Sequence, residues 1–183
     1  NKLFDNDEYW RIAFELIDEL INICQPRRYF HVGMDEDSDR SYSQYIEAIL
    51  RLRHGLMQRG LRALIWNDSS QRGIALAHAK KSLAAEKSIP KDIIQVIWNY
   101  RSVPVKHIRR LVHEGFEVWG APGQDAGQAF RWKQAILHHG GKGLLMTVWI
   151  PFHRRNRSRI LRLIGAVGPI YSAKYVRGIE TRY

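Results

Sequence analysis

Apolar positions along the chain alternate between two periods, and the alternation predicts the order of elements. Asp5-Asn6-Asp7 offers helix-capping side chains. Trp10, Ile12, Ala13, Phe14, Ile17, Leu20, Ile21 and Cys24 then recur at helical spacing until Pro26 stops the run. Residues 28–34 form a short, mostly apolar first strand. After the polar stretch 35–40, a second helix over 41–59 buries Tyr45, Ile49, Leu52 and Leu56, with Gly60 at its C′ position. The pattern continues with a strand at 61–67, a helix at 73–86 and a β-branched strand at 93–99. A helix follows from Val103 or Pro104 to Gly115, and then a strand at 116–119. After the loop Gly120-Ala121-Pro122-Gly123 come a helix at 126–138, a strand at 144–150 and a basic helix near 156–165.

Strand-helix repeated five times implies a parallel sheet with helices outside it. The strands are nearly continuous apolar runs, as expected when both faces are covered. Two α/β architectures fit: an open doubly wound sheet, or about five strands of a (β/α)8 TIM barrel. No glycine-rich phosphate loop follows the first strand, which favours the partial barrel. The expected organisation is a single domain over 1–183, with 151–183 as a basic C-terminal helix and tail.

Composition narrows the class. Of 183 residues, 45% are hydrophobic and 26% charged, which suits a globular chain. No apolar run reaches the length that spans a bilayer, so a membrane partner is not expected. The opening Asn1-Lys2-Leu3-Phe4 carries no signal-peptide pattern and reads as mid-protein or processed, so cytoplasm and other locations stay open. The single cysteine, Cys24, reads as a small buried residue on the first helix. The net charge of +11 raises a nucleic-acid reading. Yet the cations are scattered, the densest run being His153-Arg154-Arg155-Asn156-Arg157-Ser158-Arg159 with Arg162 beyond it. Without a nucleic-acid-binding signature, this run reads first as a solvated face.

Polar and aromatic residues gather at the predicted strand ends: Asp35-Glu36-Asp37, Trp66-Asn67-Asp68, Trp98-Asn99-Tyr100, Trp119, and Thr147-Val148-Trp149. In parallel barrels the active site lies at the C-terminal ends of the strands. Carboxylates, amides and indoles together suit a sugar, whose ring stacks on indole and whose hydroxyls bond to the carboxylates and amides. Each Trp taken singly also reads as core, and Trp10 and Trp132, within helices, read as core first. Along the first strand, alternation puts His31, Gly33 and Asp35 on one face and Phe30, Val32 and Met34 on the other. Two adjacent carboxylates in one pocket repel each other, and with partial burial one pKa rises, which is what a general acid needs. The alternative is that Asp35, Glu36, Asp37 and Asp39 form a solvated loop or hold a cation.

His31-Val32-Gly33-Met34-Asp35-Glu36 resembles the His-x-Gly-Gly-Asp-Glu motif of family 20 glycoside hydrolases, the β-N-acetylhexosaminidases. In that family the motif ends the fourth barrel strand. Ile65-Trp66-Asn67-Asp68, Val96-Ile97-Trp98 and Met146-Thr147-Val148-Trp149 look like its fifth, sixth and eighth strand segments. The resemblance implies retaining, substrate-assisted hydrolysis of terminal N-acetylhexosamine residues, without cofactor or metal. Glu36 would be the acid and then the base, and Asp35 would hold the acetamido group. Trp66, Asp68, Trp98 and Trp149 would bind the sugar, with His31 supporting the carboxylates from below. Met34 stands where the motif has its second glycine. No counterpart of the family's seventh-strand Tyr is found, and Tyr100 and Asp125 are the candidates to replace it. Three strands would be missing, so a completing segment or self-association is expected, with weak or absent hydrolysis by the isolated chain. Other readings are an inactive carbohydrate-binding barrel and, less favoured, a basic nucleic-acid-binding module.

Overall fold

The computed structural model describes residues 5–73 and 76–172. Five strands, β1 (Tyr29–His31), β2 (Arg62–Asn67), β3 (Ile94–Trp98), β4 (Val118–Ala121) and β5 (Gly143–Leu144), follow chain order. Helices α1 (Asp7–Cys24), α2 (Tyr42–Gln58), α3 (Leu76–Glu86), α4 (Val105–His113), α5 (Ala126–His138) and α6 (Arg157–Tyr171) alternate with them. The pairings β1–β2, β3–β4 and β4–β5 are parallel. This is the expected partial (β/α)8 fold. The chain divides into two compact units, Asn1–Ile94 and Gln95–Tyr183. Residues 173–183 of the predicted basic tail lie outside the described residues.

In the first unit, local sequence sets the helix ends. Asn6 caps α1, its side chain accepting the Tyr9 N–H at 2.7 Å. Gln25 closes α1 in the left-handed region at φ 48°, just before Pro26. Ser41 and Gln44 form a capping box at the start of α2. The predicted buried stripe of α2, Tyr45, Ile49, Leu52 and Leu56, is buried. Gly55 lies against the Phe14 ring, where a Cβ would come within 2.1 Å of a ring carbon. Any larger residue there would displace the Phe14 ring from its place against α2. Cys24 is exposed at the last position of α1, not buried as expected, because the helix ends there and its final turn meets solvent.

In the second unit, Asp125 caps α5 by accepting the Gln128 N–H at 2.7 Å, and α5 has the predicted bounds. Trp132 is fully buried against Gly120, with a Cβ-to-ring distance of 2.4 Å that only glycine allows. β4 starts two residues later than predicted, so Trp119 is its second residue and not its end.

The fifth strand is much shorter than the predicted 144–150. Leu145 donates to the Gly120 carbonyl at 2.8 Å. Groups facing one neighbour recur at every second residue of a strand. The next donor that β4 could offer β5 is therefore at 122, and that residue is proline, which has no N–H. The ladder stops there. A 3-10 turn at Arg154–Asn156 leads into α6.

Candidate functional site

At the end of β1 the extended backbone gives way to a tight turn. Val32 still donates to Leu64 O at 3.0 Å, and Trp66 donates to Gly33 O at 2.9 Å. Gly33, Met34 and Glu36 then take φ values of 76°, 77° and 49°. This breaks the alternation predicted beyond His31. Met34, at the place of the motif's second glycine, holds a conformation that costs an L-residue about 1–2 kcal/mol. The turn presents Asp35 half-buried and Glu36 exposed.

Buried polar groups hold this turn. Asp68, 2% exposed, accepts the Glu36 N–H on Oδ2 at 2.8 Å. The Tyr45 hydroxyl donates to the Met34 carbonyl at 2.7 Å. Lys81 on α3 donates to Asp37 O at 2.7 Å, Asp37 Oδ1 at 2.8 Å and Arg40 O at 2.6 Å. Arg40 in turn donates to Asp37 Oδ2 at 2.7 Å and to Asp5 at 3.1 Å. Burial alone would raise the Asp37 carboxyl, but hydrogen bonds from Lys81 and Arg40 outweigh it and hold it below the usual range. Beneath lies a shelf from β2 and α3: Asn67 donates to Glu86 at 2.8 Å, and the Asp68 N–H donates to Ser82 Oγ at 3.1 Å.

His31 lies at the base of the turn, its ring centroid 4.4 Å from that of Trp66. Its Nδ1 accepts the Gly33 N–H at 3.0 Å, which puts the ring proton on Nε2, a buried atom without a hydrogen-bond partner among the described residues. Burial lowers its pKa to about 4, so the ring is neutral at physiological pH. Burial raises the Asp35 carboxyl above its ordinary value, and the charge of neighbouring Glu36 adds to the rise.

The first unit thus brings together Asp35, Glu36, His31, Trp66 and Asp68. In the second unit, Trp98 ends β3 with its ring 5.6 Å from Tyr100. Trp149 Nε1 donates to the Tyr100 hydroxyl at 2.8 Å. Tyr100 therefore links Trp98 and Trp149. Trp149 lies past β5, not at its end, and is 71% exposed. Asn99 stabilises the following turn by accepting the Arg101 and Ser102 N–H groups at 2.9 and 3.0 Å. Among the described residues no three His, Cys, Asp or Glu side chains are placed to hold a metal, and no helix is long and apolar enough to cross a membrane.

Sequence reasoning missed Lys81, Arg40, Ser82 and Glu86, and it saw Tyr45 only as core. Lys80-Lys81 looks like any solvated helix face. The one available signal was the acidic cluster of residues 35–39, which calls for a cation if it is to be buried.

The fold defines a class, a five-strand portion of a (β/α)8 barrel, and comparison with known proteins refines it. No family model matches the sequence, and no curated protein does. Among solved structures, the chain is similar to a GH20 exo-β-N-acetylglucosaminidase from Vibrio harveyi in complex with N-acetylglucosamine. The TM-score is 0.54 at 13% identity, over 92% of this chain and 32% of that one. It also matches a β-N-acetylhexosaminidase from Bacteroides fragilis over 63% of this chain and 24% of that one, and dispersin B over 75% and 46%, each at 18% identity with a TM-score of 0.44. The chain thus spans between a quarter and a half of the length of these proteins. The Vibrio harveyi match shows a shared fold, that of part of a GH20-like barrel.

Proposed function

We propose that this chain is the strand-four-to-eight portion of a β-N-acetylhexosaminidase-type glycosidase barrel, acting on terminal N-acetylhexosamine residues. The observation that carries this reading is the turn at 33–37. It sets two adjacent carboxylates beyond a parallel strand, and buried Asp68, Tyr45 and Lys81 hold the turn that carries them, through the Glu36 N–H, the Met34 carbonyl and Asp37, beside the His31–Trp66 pair.

In the proposed reaction the substrate's acetamido oxygen attacks the anomeric carbon as the glycosidic bond breaks, and Glu36 gives its proton to the leaving oxygen. Water then attacks the anomeric carbon and reopens the oxazolinium ring, while Glu36 takes the water's proton. Asp35 accepts a hydrogen bond from the acetamido N–H. Burial disfavours its charge in the resting protein, so the positive charge that develops beside it stabilises it most in the transition state. Asp68 acts through the Glu36 backbone. Trp66, Trp98 and Trp149 are the proposed stacking surfaces, and Tyr100 the group standing in for the family's tyrosine. The remaining strands come from a completing segment or self-association, so the isolated chain turns over weakly or not at all.

A second reading, a sugar-binding barrel without turnover, is favoured by Met34 at the motif's second glycine, since a strained residue there alters the turn that aims Glu36. Glu36→Gln separates the two. For the glycosidase, hydrolysis of an aryl N-acetyl-β-glucosaminide by the completed barrel is lost, while binding of N-acetylglucosamine, followed by NMR titration, survives. Turnover that persists in Glu36→Gln, or a folded chain that binds no N-acetylhexosamine, overturns the proposal.

A further inference from the structure

Two apolar faces of this chain match in character and oppose in charge. On α1, Ile12, Leu16, Leu20 and Ile23 are all exposed, Ile23 by 70%. At about 100° per residue they form one stripe, opposite buried Trp10 and Ile17. Exposed Glu8, Glu15 and Glu19 run along its flank; Arg11, the helix's only cation, pairs with Glu8 and Glu15 at 2.6 Å each, so the flank keeps a net negative charge.

In the second unit, α6 and the segment before it enclose an apolar groove of about 520 Å³, lined by Leu144, Met146, Val148, Phe152, Ile164 and Tyr171. Phe152 is 92% exposed at its mouth. Gly165 has open space where a Cβ would stand, so a partner can approach the helix closely. A neighbouring hollow along Ile160, Leu161 and Ile164 is rimmed by His153, Arg154 and Arg157. Residues 154–162 hold five arginines and no acid.

We infer that the chain associates head to tail with a second copy, the acid-flanked apolar stripe of α1 from one copy lying in the arginine-rimmed groove of α6 on the next. Leu16 and Leu20 fill the groove, and the acidic flank, with Glu19 foremost, faces Arg154 and Arg157 at the rim of the adjoining hollow. The occupant is a second copy because the same chain carries both halves, an apolar stripe with acids and an apolar groove with bases. A nucleic acid would meet the arginines and leave the groove unfilled. The contact joins two different surfaces, so each copy keeps one of each to offer. This goes beyond the glycosidase reading and does not depend on it.

Sedimentation of the whole chain over rising concentration tests it. The mass should rise above one chain and fall back with added salt, since the flanking ion pairs lie at a solvated rim. Leu16→Glu removes the stripe and Ile164→Glu the groove. Each variant alone should be monomeric, with unchanged circular dichroism because both positions are exposed. Mixed together they should form a complex of two chains, since Leu16→Glu keeps an intact groove and Ile164→Glu an intact stripe. A wild-type chain that stays monomeric at every concentration overturns the inference and leaves the stripe to a segment from another chain. A mixture that fails to pair overturns it too. The readout is mass, so the result is independent of sugar binding.

Discussion

Beyond β1 the backbone passes through three residues of positive φ, Gly33, Met34 and Glu36, and buried groups from β2, α2 and α3 bind the turn from behind. Beyond β5 the chain leaves its ladder at Pro122, and its aromatic residues, Trp149 and Phe152, face solvent. One strand end is held by polar groups reaching it from other elements. The other ends because its neighbour has no donor to give. A strained turn persists only where the surroundings over-determine it, and the first region meets that condition.

The largest effect should come from cutting the hold on the first turn. Lys81→Met takes one of two cationic partners from Asp37, whose side chain is 8% exposed, and the same donor from two carbonyls, while Arg40 still holds Asp37. With one partner kept, the loss should be about 3 kcal/mol, the low end for breaking a buried pair, measurable by denaturant unfolding. Asp37→Asn combined with Lys81→Met should lose less than the sum of the two, because the pair acts as a unit. Additive losses would dissolve the contrast with the β5 end.

Next comes acid. The folded pKa of His31, about 4, lies below its ordinary value of 6.5, so between those values the unfolded chain binds the proton more strongly. The stability is fully present above about pH 6.5 and falls by about 2–3 kcal/mol as pH drops towards 4. His31→Gln should flatten this part of the stability curve, and an unchanged slope would remove the buried neutral histidine.

A smaller change should follow from relieving the strain. Met34→Gly should stabilise the chain by up to about 1 kcal/mol, glycine's unfolded-state entropy offsetting part of the gain. Gly33→Ala should cost about 1 kcal/mol. Thermal melts of both compare the signs, and a destabilised Met34→Gly would mean that Met34 packing outweighs its backbone cost. The smallest effect belongs to the β5 end. Pro122→Ala restores a donor, so its new amide should exchange slowly with solvent, while the added freedom of the unfolded chain costs about 0.5 kcal/mol. Rapid exchange there would show that the missing N–H is not what ends the strand.

Much of the fold was legible. The bounds of α5 and the capped start of α2 follow from Asp125, Ser41 and Gln44, because capping and helical periodicity act within a turn or two of chain. The strand ends were less legible. β1 stops at His31, β4 begins two residues late and β5 keeps two residues, since a strand's length depends on what its neighbour donates. In the candidate site, Asp35, Glu36, His31 and Trp66 stood out by type and spacing. Lys81 did not, since it meets Asp37 across 44 residues of chain.

The amino-acid sequence by itself determined the order of strands and helices, the caps that bound them and the carboxylate pair set beyond the first strand. Those properties are local, written in side-chain size, polarity and period. Only the tertiary structure decided which carboxyl burial would raise, which helix would send a lysine to hold the turn and where the fifth strand would stop. Burial and ladder pairing belong to residues that meet in space, and spacing along the chain does not encode those meetings.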